Sequence, residues 1–181
     1  FAYPPLPFYF EAFLVFTLGL PKFLVTNALP PLVSVLSMIA FSRLLKKIIR
    51  NPTVRLLSLA IYAILPLSFM DQVEAAGLAE SFGALFIILF MDAFWAFIHD
   101  LEDKRKLFLT AFIWAVCIAA SPASAYVSVF IFFGFIAKLF QLEKGRIKQL
   151  LSKIFMLGAT AVVLSSAYWG VVLWKHGAGF F

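Results

Sequence analysis

Stretches of about 20 mostly apolar residues recur along this chain, and they constrain its fold more than any other feature. A helix of that length spans the hydrocarbon core of a bilayer. Hydrophobic residues make up 64% of the 181 residues and charged residues only 13%, whereas a soluble domain is about half apolar and about a quarter charged. We therefore predict an integral membrane protein, with the lipid bilayer as its first partner.

The apolar runs predict six spanning helices and, before them, a short helix at the membrane surface. The predicted spans are 27–50, 55–69, 80–99, 107–120, 125–139 and 150–174. Residues 8–20 are short for a span and include Glu11, so we expect a helix in the interface with Tyr3 and Tyr9 at headgroup level; a short true span is the alternative. The predicted fold is an all-α polytopic transmembrane helix bundle, with residues 1–181 forming a single transmembrane domain.

Basic residues are confined to a few short segments. The segments 43–55, 99–106 and 138–153 contain every Lys and Arg except Lys22 and Lys175. Two predicted spans separate each basic segment from the next, so all three fall on one side of the membrane. By the positive-inside rule that side is cytoplasmic. We expect a multi-pass protein of the plasma membrane whose net charge of +6 sets its orientation and does not bind nucleic acid.

The chain begins at Phe1 without a methionine and contains one cysteine. We expect it to be a piece of a longer polytopic protein. Because Cys117 has no partner in the sequence, a disulfide or cysteine-based metal framework is excluded. We interpret Cys117 as a small buried residue.

An acidic connector joins the second and third predicted spans. Residues 66–80 contain three acids, Asp71, Glu74 and Glu80, and no base. The topology places the connector at 71–80 outside the cell. Glu80 stands where the connector becomes a helix, so it either complements the helix dipole or binds a metal or substrate at the membrane surface. Asp71 and Glu74 are solvated loop acids or further ligands of the same site.

Two other carboxylates lie within apolar segments. Asp92 follows Glu80 by twelve residues, which places it about 18 Å further along one helix and inside the hydrocarbon. An intramembrane carboxylate usually faces the bundle interior with a partner, so we expect a structural hydrogen bond or a nearby base. A proton or ion relay is the alternative. Glu11 is interpreted as a carboxylate that extends to the outer interface.

Several short motifs occur in an order found in one enzyme class. Tyr3-Pro4-Pro5-Leu6 precedes an apolar helix, and Gly77-Leu78-Ala79-Glu80 opens a later span after a basic turn and a span that ends in proline. Together they resemble the N-terminal half of GT-C-type membrane glycosyltransferases. The likeness is to relatives of the oligosaccharyltransferase catalytic subunit, including the 6-pyruvoyl-tetrahydropterin-synthase-related membrane domain family. Ser121-Pro122-Ala123-Ser124-Ala125 is similar to a later turn of that family, without its histidine.

The resemblance implies transfer of a sugar from a polyprenyl-phosphate-linked donor to an acceptor on the outer face. Glu80 corresponds to the glutamate of a family Asp-x-Glu motif that contributes to a divalent-metal site, for Mg or Mn, while Leu78 stands at the aspartate position. Tyr3 would shape the site near the interface. The family's main catalytic acid lies in a segment that precedes Phe1, so residues 1–181 alone are expected to be inactive.

Two other functions fit a polytopic chain. A transporter or flippase would use Asp92 as an intramembrane relay, with Pro66 and Pro122 as helix breaks. A non-catalytic scaffold subunit would need neither Glu80 nor Asp92. Substitution of these two acids separates the three hypotheses.

Overall fold

The computed structural model describes residues 5–64, 77–142 and 147–177, and these ranges are helical without any strand. The helices are α1 Pro5–Ala12, α2 Lys22–Ile48, α3 Pro52–Ile64, α4 Gly77–Ile98, α5 Lys104–Ala120, α6 Pro122–Leu142 and α7 Ile147–His176. A π-helical turn, Phe13–Thr17, follows α1. The predicted all-α bundle is confirmed.

Three of the described helices are long and apolar enough to cross a membrane. They are α2, α4 and the part of α7 over Gln149–Lys175, and they coincide with the first, third and sixth predicted spans. The helical stretches Leu6–Thr17, Pro52–Ile64 and Ala123–Ala137 are apolar but shorter. The chain is therefore a helical membrane protein, and the described residues contain three of its predicted spans as helices of spanning length.

The start of α2 differs from the sequence prediction. We predicted a span from residue 27, but α2 begins at Lys22 and contains Pro30 and Pro31 in its interior. A proline inside a helix loses one backbone hydrogen bond and strains the preceding turn. That turn is held by packing, because Val25 and Leu29 are buried against α4.

Two short polar side chains determine where α3 and α5 begin. Asn51 precedes α3, and its Oδ1 accepts hydrogen bonds from the backbone N–H groups of Thr53 (2.9 Å) and Val54 (3.3 Å). Asp103 precedes α5 and caps Arg105 in the same way, at 2.8 Å. Each cap satisfies N–H groups that a helix terminus leaves without partners. The short connections therefore reverse the chain without exposing backbone donors.

Helix α4 lies at the centre of the bundle. It packs on α2, α5 and α6, while α3 covers α2, α7 covers α5, and α1 touches α4 and α5. Aromatic rings fill the centre: the ring centroids of Phe90 and Trp114 are 5.0 Å apart, and those of Trp114 and Phe132 are 4.5 Å apart. Cys117 is buried beside them, as predicted.

Side-chain contacts bring the basic segments together at one end of the bundle. The Lys47 ammonium, near the end of α2, lies 2.6 Å from the Asp92 carboxylate in the second half of α4. Glu102, in the connection after α4, accepts hydrogen bonds from Gln149 (2.6 Å) and Lys153 (3.0 Å) at the start of α7. This end is called the basic end below. The opposite end contains the start of α4 and the connection between α5 and α6.

The contacts of Glu102 predict an acid-sensitive part of the bundle. Hydrogen bonds from Lys153 and then Gln149 hold the pKa of this exposed carboxyl below its ordinary value. Stabilisation by a carboxylate with a lowered pKa is present above its ordinary pKa and is lost as pH falls through the lowered value. We expect the unfolding temperature to fall on acidification more in the native protein than in Glu102→Gln. An equal fall in both proteins would contradict this role.

Candidate functional site

The connection between α5 and α6 holds Glu80 in place. The Ser121 hydroxyl donates a hydrogen bond to Glu80 Oε1 at 3.2 Å. Ser121 is fully buried and its backbone is extended, with φ −157° and ψ 133°, because a residue before proline is disfavoured in the helical region. Pro122 therefore ends α5 and turns the Ser121 side chain toward the first turn of α4. The sequence indicated both features separately but not their contact.

A second serine tightens the same turn. The backbone N–H of Ser124 donates to Ser121 Oγ at 3.4 Å, so the Ser121 hydroxyl accepts one bond while it donates the other. Ser124 is itself buried and lies against Gly83 of α4. Because Gly83 has no side chain, the start of α6 approaches α4 closely. The position of Ser121 relative to Glu80 follows from this close approach.

Glu80 is half-buried at the start of α4 and lies in its first turn. The positive end of the helix dipole favours a carboxylate there, so both interpretations of Glu80 agree with its position. The other expected site residues, Tyr3, Asp71 and Glu74, lie outside the described residues. Their contacts with Glu80 are therefore a matter for experiment.

A metal site is not formed by the described part of the chain. Over residues 5–64, 77–142 and 147–177, no group of three His, Cys, Asp or Glu side chains is close enough to hold a metal ion. Glu80 has a serine hydroxyl as its neighbour, and Leu78, two residues before it, has no side-chain oxygen to offer. These residues alone do not fit a Mg²⁺ ion, which prefers several carboxylate or water oxygens.

Glu11 belongs to the same end of the bundle as Glu80. The Thr26 hydroxyl of α2 donates a short hydrogen bond to Glu11 Oε1 of α1. The sequence predicted a carboxylate that reaches the interface but not its partner, since nothing in the spacing of residues 11 and 26 indicates a contact. This bond ties α1 to α2 beside the cluster of Val25, Leu78 and Phe82.

An apolar groove opens between α1, α5 and α7. Its volume is about 280 Å³. The groove is lined by Leu6, Tyr9, Phe112, Ala115, Val116, Ala119, Leu164, Ser165, Ala167 and Tyr168. These residues come from α1 and from the second halves of α5 and α7, so the groove lies toward the Glu80 end. Two tyrosines and one serine supply its polar groups.

The groove and Glu80 lie on opposite sides of α5. At 3.6 residues per turn, Ala115 and Ala119 face the groove, while Trp114 and Cys117 face α4 and α6. Trp114 Nε1 donates to Ser128 of α6 at 2.9 Å, which confirms the second orientation. A molecule in the groove therefore reaches Glu80 only by passing over the end of α5.

Asp92 has the nearby base that the sequence analysis expected. Its carboxylate pairs with Lys47 at 2.6 Å. The approach is not aligned for a hydrogen bond, so the buried Oδ1 atom has a charge partner but no hydrogen-bond donor. Attraction between charges at this distance depends little on the angle, so the ion pair still neutralises Asp92.

Comparison of this chain with protein-family models, with curated proteins and with solved structures found no match.

Proposed function

We propose that this chain belongs to an integral membrane glycosyltransferase of the GT-C class. The enzyme would transfer a sugar from a polyprenyl-phosphate-linked donor to an acceptor on the extracytoplasmic face. One observation supports this most directly: Glu80, oriented by Ser121, lies at the same end of the bundle as the apolar groove. A carboxylate and an apolar groove are what transfer from a lipid-linked donor requires.

The proposed topology follows from the different charges at the two ends of the bundle. The segments 43–55, 99–106 and 138–153 would be cytoplasmic, and the connector at 71–80, with Glu80 at its end, would face outward from the plasma membrane. Glu102 joins segment 99–106 to Lys153 of segment 138–153, and Lys47 of segment 43–55 pairs with Asp92 in the second half of α4, which supports this arrangement.

The groove provides a path for the donor. An isoprenoid chain would lie between α1 and α7, with the hydroxyl groups of Tyr9 and Tyr168 near the headgroup layer. Helix α5 ends at Ala120, one residue after Ala119 of the groove. A phosphate at the upper end of the groove is then about one helix diameter, about 10 Å, from Glu80. The sugar would bridge this distance over Ser121.

The chemistry needs one bond to form and one to break. The acceptor oxygen attacks the anomeric carbon and its proton passes to the Glu80 carboxylate, while the bond between that carbon and the phosphate oxygen breaks and the lipid phosphate leaves with the electron pair. We propose that Glu80 orients the acceptor hydroxyl and accepts its hydrogen bond, as a positioned carboxylate can in acid–base catalysis. Ser121 fixes the Glu80 side chain for this role. Any Mg or Mn ion would need further ligands, for which Asp71 and Glu74 are the candidates.

Glu80→Gln tests this proposal in the complete protein encoded by the gene. The change keeps the shape of the side chain and removes its charge, so we expect sugar transfer from a polyprenyl-phosphate donor to fall at least about a hundredfold. Ser121→Ala, which removes only the orienting hydrogen bond, should lower transfer about tenfold. The measurement is transfer of labelled sugar in reconstituted membranes.

Asp92→Asn is the matched control for the same assay. Asp92 lies on α4 as Glu80 does, but at the opposite end, so transfer should persist in the folded variant. Loss of activity in Asp92→Asn with full activity in Glu80→Gln would instead favour the transporter or flippase. Unchanged turnover in both variants would favour a scaffold subunit.

A further inference from the structure

One face of α2 changes from apolar to basic along a single line. Five exposed side chains follow one another at alternating steps of four and three residues. They are Leu32, Leu36, Ile39, Arg43 and Lys46. Two residues in every seven is close to one residue per helical turn, so all five side chains lie on one face of α2. This set is called the α2 stripe below.

The other described helices leave the α2 stripe uncovered. Helix α3 packs on a different face of α2, where Ser37 Oγ lies 3.1 Å from the Tyr62 hydroxyl. Helix α4 packs on a third face, through Ala40 and Leu44. Since α2 is long and apolar enough to cross a membrane, its uncovered apolar stripe faces acyl chains. Arg43 and Lys46 continue that stripe toward the headgroup layer.

Three acids that the structure describes at the basic end are already paired with other bases. Asp92 pairs with Lys47, Asp100 with Lys106, and Glu102 with Lys153. Among the described residues, Arg43 and Lys46 have no ion-pair partner, and both are exposed. Arg50 follows shortly after the end of α2 and is also exposed. The basic end therefore has a surplus of positive charge concentrated beside a lipid-facing surface.

We infer that the α2 stripe is a binding site for one anionic phospholipid. Arg43 and Lys46, with Arg50 beyond them, would bind the headgroup phosphate, whose charge an anionic lipid does not neutralise with an ammonium of its own, since guanidinium groups pair well with phosphate oxygens. Leu36 and Ile39 would contact the acyl chain below it. The apolar and basic parts of the stripe lie in one line, as the acyl chains and the charged headgroup of a lipid do. An acidic protein would pair with the basic part but would leave the apolar part without a contact.

Lipid retention by the full chain tests this inference. Native mass spectrometry of the detergent-purified protein would compare added phosphatidylglycerol with phosphatidylcholine of the same acyl chains. We expect the native protein to retain phosphatidylglycerol preferentially. At about fivefold per basic residue near an anionic surface, the double substitution Arg43→Gln with Lys46→Gln should reduce that preference about 25-fold.

Two control variants make the result decisive. Lys22→Gln with Lys175→Gln removes the same charge from the opposite end and should leave the preference unchanged. Arg43→Lys with Lys46→Arg keeps both charges and should retain most of it. The circular dichroism spectrum of each variant without added lipid checks that it is folded.

Three outcomes would overturn the inference. The first is an unchanged preference in the folded Arg43→Gln/Lys46→Gln protein. The second is an equal loss in the Lys22→Gln/Lys175→Gln control, which would mean attraction by net charge alone. The third is complete displacement of the lipid by soluble polyglutamate, which would indicate an acidic protein as the partner.

Discussion

Replacing Gly83 by alanine is expected to destabilise the bundle by about 1–3 kcal/mol, the usual effect of an extra carbon in a packed interior. A Cβ atom at this position would overlap Ser124 Oγ and would lie 2.9 Å from Ser124 Cβ and 3.0 Å from Ser121 Cβ. The Ser124 hydroxyl can rotate away, but the two Cβ atoms are fixed to the backbone. Helix α6 must therefore move away from α4, and the Ser121 contact with Glu80 is weakened.

Two other helical glycines give the matched controls. Nothing lies within 4 Å of a Cβ atom placed at Gly158 or Gly170 of α7. Alanine at these positions should stabilise the helix by up to about 1 kcal/mol, because glycine is the poorer helix former. The midpoint of unfolding in an uncharged detergent, followed by circular dichroism, measures all three variants. The prediction is that Gly83→Ala has the opposite sign to both controls.

Moving the glycine from position 83 to position 124 tests whether the contact between these two positions causes the loss of stability. In the double variant Gly83→Ala with Ser124→Gly, the new methyl group on α4 meets no side chain from residue 124. We expect a large part of the lost stability to return, as a positive coupling between the two positions in a double-mutant cycle. If the effects of the two single substitutions simply add, the Ser124 side chain does not limit the size of the residue at position 83.

The helices were predictable because their signals are local. Apolar runs of spanning length mark α2, α4 and α7, and the Ser121–Pro122 pair marks the end of α5 from the conformational preference of a residue before proline. Likewise, the segregation of basic residues predicted which helix ends lie together. The position of Glu80 at a helix start also follows from sequence, because the polar connector ends where an apolar run begins.

The contacts that form the site were not predictable in the same way. Glu80 and Ser121 are 41 residues apart, and Glu102 and Lys153 are 51 apart. Hydropathy and charge determine the end of the bundle at which a residue lies, but not which helix lies beside it. The neighbours of α4 depend on side-chain packing, such as the fit of Ser124 to Gly83, and one sequence does not reveal this fit. The start of α2 was misplaced for the same reason, since buried Val25 and Leu29 extend the helix before its prolines.

The ion pair between Lys47 and Asp92 predicts an asymmetric response to mutation. Lys47→Met should destabilise the protein by about 2 kcal/mol. This is below the 3–5 kcal/mol typical of a broken buried pair, because the two side chains are 42% and 24% exposed. Without Lys47, the Asp92 carboxylate stays on α4 with a buried oxygen and no counter-charge. Asp92→Asn should cost less, because the long Lys47 side chain can extend to water.

Two further variants separate this effect from a general loss of charge. Lys46→Met removes a neighbouring exposed base that has no ion pair among the described residues, so in uncharged detergent it should shift the unfolding midpoint little. The double variant Lys47→Met with Asp92→Leu should recover most of the stability of the native protein, since an apolar pair can replace a buried ion pair at little cost. Greater destabilisation by Asp92→Asn than by Lys47→Met would contradict this account. It would mean that Asp92 has a hydrogen-bonding role beyond neutralising Lys47, which a proton or ion relay on α4 requires and a structural ion pair does not.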